Sequence, residues 1–290
     1  MNMGLEAEST NADAEGRAAV ARAQEIEYGE GHDYAVSPHI RHTTLRTLLE
    51  RRIESAVKEV LARQGSCAVL EVGAGHGTFT DAVLRAGGSP TVTEMSRTSY
   101  DFLRRKFSSG PEVFVRYDSD GTAWRDSETE FDLILLISVL HHIPDYLGVV
   151  AAQCDTALRS GGSVLTFQDP LWYPRQRKLA KALSWGSYFV WRLGQGAFRR
   201  GLRTRARRLR GIYDESEPSD MVEYHVVRQG VDECALVELF TARFADVELD
   251  AYFSTALPAL QAVGAKYFPP NTFGVLARGF KGGADSGVQW

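Results

Sequence analysis

Residues 68–88 read "AVLEVGAGHGTFTDAVLRAGG" and place three glycines, Gly73, Gly75 and Gly77, within five positions. An apolar run precedes them and helically spaced apolar residues follow, so a strand ends in a bare turn and feeds a helix. Such a turn aims several backbone N–H groups and the positive helix end at one point, and glycine permits both positive φ and close approach of a ligand. A glycine turn also serves plain packing, so its surroundings carry the reading. Glu94 closes the next strand, 21 residues after Gly73, where an acid accepts hydrogen bonds from ribose hydroxyls. The dinucleotide spacing G-x-G-x-x-G would need glycine at position 78, which is Thr78 here. Glu71, two residues before the first glycine, would repel a pyrophosphate and suits an ammonium group. The pattern disfavours NAD and points to an aminoacyl nucleoside.

Outward from this turn, short apolar runs alternate with helices. Strands are expected at Ala68–Val72, Thr91–Thr93, Val113–Val115, Leu133–Ile137 and Ser163–Phe167, with helices starting near Thr78, Ser96 and Tyr146. That rhythm implies a parallel sheet covered on both faces. Upstream, "EGRAAVARAQEIEY" and "HTTLRTLLERRIESAVKEVLARQG" read as helices; Leu45, Leu48, Leu49, Ile53, Val57, Val60 and Leu61 form one stripe of the second. The connector between them starts a further helix at Pro38 and reads as a flap over the ligand, with Tyr28 or Tyr34 shielding it. Downstream, a helix at "GVDECALVELFTARF" precedes two last strands, "ADVELDAYF" and "NTFGVLARGF".

Hydrophobic content of 44% and charged content of 24% suit a soluble globular enzyme. No apolar run reaches the ~18 residues of a membrane span. The acidic, polar start lacks the regions of a signal peptide. The three cysteines, Cys67, Cys154 and Cys234, are scattered in apolar surroundings, as reduced thiols of a cytoplasmic protein are. The net charge of −4 hides an asymmetry: Arg175–Arg210 holds twelve Lys/Arg and no Asp/Glu, leaving 21 of the 33 basic residues against all 37 acidic ones elsewhere. Such a segment reads as an insertion or a solvated helical face.

The blocks "LEVGAGHG", "TVTEMS", "VRYDSDG", "FDLILLISVLHHIPD" and "LRSGGSVLTFQDP", in this order, resemble class I S-adenosylmethionine-dependent methyltransferases, closest to the small-molecule branch of ubiquinone-type methylases. The resemblance covers residues 65–170 in detail and the closing helix and strands in outline. It implies an α/β, Rossmann-like three-layer sandwich: a mostly parallel seven-stranded sheet whose last pair includes an antiparallel strand, with a helical cap and a lid insertion. It divides the chain into a disordered start (1–16), a helical cap (17–64), the cofactor-binding core (65–170), a basic and aromatic lid (171–228), the closing helix and last two strands (229–281) and a flexible tail (282–290). The implied cofactor is S-adenosyl-L-methionine. Gly73, Gly75 and Gly77 would form the methionine-side turn, with Glu71 by the amino group. Glu94 with Met95 would sit at the ribose, Asp118 with Ser119 at the adenine, and Leu136 on the sulfonium side.

Methyl transfer from a sulfonium is an in-line displacement that needs alignment and exclusion of water. A hydroxyl or acidic carbon acceptor also needs a base. His141, just past the fourth strand, is the candidate base, with His142 beside it; the alternative is a pair that only fixes the loop. Gln168 and Asp169 are expected to face the acceptor, walled by Trp172 and Tyr173, with Tyr224 and Arg228 beyond the lid. His39 and His42 have helical spacing, yet nothing completes a metal site, and no metal is expected. The basic run reads as a soluble lid, a clamp for an anionic acceptor, or a peripheral membrane contact. The pI near 6 disfavours nucleic acid. The expected function is methylation of a small, largely apolar acceptor in specialised metabolism. The alternatives are C-methylation of a prenyl diphosphate held by lid arginines, and a non-catalytic cofactor-binding partner protein. The oligomeric state is not legible.

Overall fold

The run Phe131–Ile137 is buried at every position, as a central strand covered on both faces must be. Ile134 and Leu136 enter one hydrophobic layer, and Leu133, Leu135 and Ile137 the other. This is the two-residue alternation of a strand, and each such side chain contributes ~1.5–3 kcal/mol on full burial. The computed structural model describes residues 22, 25, 26, 33–110, 112–126, 130–175 and 230–282.

Seven strands form one sheet: β1 (Ala68–Val72), β2 (Ser89–Glu94), β3 (Phe114–Tyr117), β4 (Phe131–Ile137), β5 (Leu158–Pro170), β6 (Phe244–Tyr252) and β7 (Thr272–Phe280). Their order is β3-β2-β1-β4-β5-β7-β6. The first five are parallel, and β7 runs antiparallel to both β5 and β6. The helices are α1 (Pro38–Arg41), α2 (Thr43–Gln64), α3 (Thr78–Ala86), α4 (Arg97–Lys106), α5 (Tyr146–Ala157), α6 (Glu233–Arg243) and α7 (Pro258–Tyr267). Leu49, Ile53 and Val57 of α2 pack with Phe79, Ala82 and Val83 of α3 on one face. Val150 and Cys154 of α5 pack with Leu236 and Phe240 of α6 on the other. The result is the expected three-layer α/β sandwich.

Several boundaries differ from the sequence reading. Strand β5 extends in both directions beyond Ser163–Phe167 because β4 and β7 pair with its two sides. Strand β3 is displaced by a residue from Val113–Val115 and reaches Tyr117, opposite Glu94. Helix α7 has no counterpart in the sequence reading. Proline at its first position and Gly264, packed on the Phe253 ring with no room for a Cβ, obscure its pattern. Leu48 of the α2 stripe lies at the edge and is exposed.

The chain leaves the sheet after β5 and returns beside its point of departure. Leu171 bridges Val231, Val231 N–H donates to Pro170 O at 3.0 Å, and Arg175 pairs with both Asp232 and Glu233. Gly230, at φ 97°, lies against the Leu171 carbonyl where no Cβ fits. The basic run beyond Arg175, with Tyr224 and Arg228, lies outside the described residues, as do residues 1–16, Tyr28 and 283–290.

Candidate active site

The carboxyl ends of β1, β2, β4 and β5 converge on the glycine turn, where ligands of open α/β sheets gather. Gly73, Gly75 and Gly77 have φ of 67°, 57° and 70°. This left-handed run is open to glycine and strained for other residues. A Cβ on Gly73 would lie 3.0 Å from Val139 Cγ2, and one on Gly75 would lie 2.9 Å from the Tyr34 ring. The turn is tied to β2: Gly73 N–H donates to Thr93 O at 2.9 Å, and Gly75 N–H donates to Glu94 Oε2 at 2.8 Å. Glu94 Oε1 accepts from Ser96 N–H at 2.9 Å. Glu94 therefore shapes the turn as well as facing it, a double role that spacing alone does not reveal.

Three buried carboxyls line this cradle, and no ion pair among the described residues engages them. Burial pushes Glu71 and Glu94 each up to about 7 and also raises Asp118. Glu71 Oε2 accepts from Thr80 Oγ1 at 2.6 Å, and Asp118 Oδ1 accepts from Ala123 N–H at 3.1 Å. A site so lined favours a cation. Met95 is half-buried near Gly121, whereas Ser119 is exposed. Leu136 is a correction: its side chain is fully buried in the layer of Ile134 and Val164, so only its backbone stands at the strand end.

Beyond β4 the chain turns through Ser138, at φ 60°, into a short 3-10 turn, Leu140–His142. His141 Nδ1 lies 2.8 Å from Asp169 Oδ1, which also accepts from His141 N–H at 3.2 Å. Asp169 is completely buried at the end of β5. Burial pushes its carboxyl up to about 8 and the His141 imidazole down to about 4, a common direction toward a neutral pair sharing one proton. Asp169, expected to face the acceptor, is thus the partner of the candidate base. The half-buried side chain of Gln168 donates its amide to Ser254 Oγ at 2.7 Å. Trp172 is turned to the Arg175 guanidinium, 4.5 Å from its ring, and lines a cleft with Glu233, Pro269 and Pro270 rather than with the pair. Tyr173 opens a short 3-10 turn, Tyr173–Arg175. Among the described residues no group of three or more His, Cys, Asp or Glu is placed to hold a metal. No described helix is long and apolar enough to cross a membrane.

Residues 70–164, which hold the glycine turn, the three acids and His141, match a family model described as a methyltransferase domain. Over these residues the chain is similar to methyltransferase domains. Ubiquinone biosynthesis O-methyltransferases of Azotobacter vinelandii and Aromatoleum aromaticum are 30% and 31% identical over 97 residues, which is 33% of this chain. The match spans 41% of the length of each of these curated relatives. Among solved structures, the N-methyltransferase NodS from Bradyrhizobium japonicum WM9, in complex with S-adenosyl-L-homocysteine, aligns over 90% of this chain and 98% of its own at 14% identity and TM-score 0.49.

The cradle fits the cofactor that the resemblance implies, S-adenosylmethionine. The bare turn lets Val139 and Tyr34 close against Gly73 and Gly75, and the buried carboxyls match a ligand bearing a sulfonium and an ammonium. Two residues ahead of α2, Tyr34 and His39, lie against the glycine turn and the helix that follows it. Tyr34 covers Gly75, with its hydroxyl 3.2 Å from Ser99 Oγ and its ring 4.5 Å from that of His76. His39, on α1, stacks on Phe79 at 5.7 Å and is buried, with Nδ1 lacking any hydrogen-bond partner. Burial, then His141, pushes its imidazole down to about 3. Helix α1 is fixed from below by His42, whose Nε2–H donates to Thr255 O at 2.6 Å. An orphaned buried polar atom costs ~1–3 kcal/mol until a ligand satisfies it. His39→Phe keeps the ring on Phe79 and removes the orphan, so the ligand-free protein should gain roughly that amount in a denaturant melt. A loss of stability would mean that the nitrogen has a structural partner.

Proposed function

We propose that this protein transfers a methyl group from S-adenosylmethionine to an oxygen of a small, largely apolar acceptor, with His141 as base and Asp169 as its positioning partner. The observation that carries this reading is the buried His141–Asp169 pair at 2.8 Å, beside the glycine turn. When bound, the cofactor supplies an electrophilic methyl group on a sulfonium. The glycine turn would hold its methionine end, Glu71 its ammonium, Glu94 its ribose hydroxyls and Asp118 its adenine amino group. Asp169 holds Nδ1 of His141, which leaves Nε2 to take the proton of an acceptor hydroxyl as its oxygen attacks. Cap residues Tyr34 and His39 cover the site and exclude water.

The names of the O-methyltransferase relatives support oxygen as the acceptor atom. The divisions into cap (17–64), core (65–170) and lid (171–228), a cytoplasmic location and a role in specialised metabolism belong to the same proposal. Arg175, first of the basic run, is engaged by Asp232 and Glu233, which weakens the case for a phosphate clamp at that position.

The test is calorimetry with S-adenosylmethionine, followed by mass-spectrometric turnover on phenols, amines, acidic carbon compounds and a prenyl diphosphate. Binding with methylation of hydroxyl acceptors is expected. Transfer to amines alone would remove the need for a base, and binding without turnover on any class would point to a non-catalytic partner protein.

A further inference from the structure

We propose that Tyr252, at the end of β6, is a positioning residue for the His141–Asp169 pair and acts through the backbone of Gln168. The inference rests on reading that pair as the base of the site. Strand β5 pairs Phe167 with Gly274 of β7, then Asp169 with the adjacent Phe273, so Gln168 is one extra residue in a bulge. Gln168 and Ser138 are the only non-glycine residues with positive φ among the described residues, at 68° and 60°, and they directly follow Phe167 and Ile137, the last positions at which β5 and β4 pair. Backbone of this kind persists only where its surroundings fix it, and it gathers at functional sites.

The bulge has a definite result. By simple alternation Asp169 would share the face of Phe167, which packs in the layer of α2 and α3. The extra residue instead sets it opposite Phe273, whose side chain lies in the other layer with Leu140, the residue before His141. Asp169 meets His141 because of that reversal.

What holds the bulge is Tyr252. Gln168 N–H donates to Tyr252 Oη at 2.9 Å, and Tyr252 Oη lies 3.4 Å from Gln168 Oε1. The Tyr252 ring stacks on Phe167 at 4.9 Å, and Ser254 takes the Gln168 side-chain amide. Gly274, between them on β7, has no side chain where the Phe167 ring sits. The hydroxyl thus supplies the acceptor for a peptide N–H that the bulge displaces from the ladder.

The experiment follows the His141 Nδ1 proton and ring titration by NMR in the full chain with labelled histidine, without acceptor. His142 and His39 adjoin the pair, and Asp250 and Arg52 act on Tyr252, so all histidines are assigned together. Tyr252→Phe keeps the stacked ring and should lose the slowly exchanging Nδ1 proton, with S-adenosylhomocysteine affinity unchanged. With an acceptor that is turned over, kcat should fall roughly ten-fold or more while KM holds. Gln168→Gly keeps both the peptide N–H and the left-handed backbone, and should retain the proton signal. A wild-type signal and titration in Tyr252→Phe would overturn the proposal. An unchanged signal in Asp169→Ala would instead remove the pair itself.

Discussion

His141→Asn should cut turnover by ~10²–10⁴ and leave cofactor affinity nearly intact, because asparagine keeps the size of the ring base and cannot accept a proton. Asp169→Asn should cost about as much, since an amide cannot hold the same tautomer of His141. The pH dependence follows from the buried pair. With burial pushing Asp169 up to about 8 and His141 down to about 4, the neutral pair retains its shared proton at neutral pH. In that state Nε2 carries hydrogen and cannot serve as base. Loss of the proton leaves a carboxylate facing Nδ1–H and frees Nε2. Turnover should therefore rise as pH is raised through about 8 and fall below it. In Asp169→Asn this dependence should vanish from the pH–rate profile. A full-rate His141→Asn variant would leave alignment alone as the source of catalysis, and would favour an amine or a pre-ionised acceptor.

Glu94→Ala should weaken S-adenosylmethionine binding by ~2–4 kcal/mol, as ribose hydrogen bonds to a charged acceptor are lost. The geometry adds a second source of loss, because the same carboxylate organises Gly75 and Ser96. Gly75→Val should do at least as much harm: position 75 has φ 57°, and a side chain there meets Tyr34. Calorimetry also gives a sign with pH. Glu71 and Glu94 stand at about 7 in the free protein, and a cationic ligand favours their charged forms. Affinity for S-adenosylmethionine should climb through that range and level off above it, more steeply than for S-adenosylhomocysteine, which lacks the sulfonium charge. Unchanged affinity in both variants would detach this turn from the cofactor.

The parts of the site that local chemistry determines were legible in the chain. A glycine turn between strand and helix, with acids at the ends of β1, β2 and β3, announces itself through residue type and spacing. The His141–Asp169 pair was half legible: both residues stood at strand ends, yet one read as base and the other as a polar group facing the acceptor. Their union depends on a bulge at Gln168, and a bulge leaves no mark on apolar alternation. Leu136 misled for a related reason, since a strand end marks a backbone position and not the direction of its side chain. Tyr34 was read as one of two shields in the connector, whereas His39 was read only with His42, and its place against Phe79 depends on the docking of α1 near Thr255. Such long-range contacts follow from the packed whole.

Strand β7 lies between β5 and β6, although it comes after both in the chain. During synthesis, β5 and β6 therefore wait with facing edges unpaired until Thr272–Phe280 emerges. Phe273, which sets the face of Asp169, and Gly274, which makes room beside Phe167, arrive in that same stretch. The glycine turn and its three acids are encoded upstream, on and directly after β1 to β3. A nascent chain can thus acquire the means to hold its cofactor well before it can aim its base, and the order of assembly separates binding from chemistry.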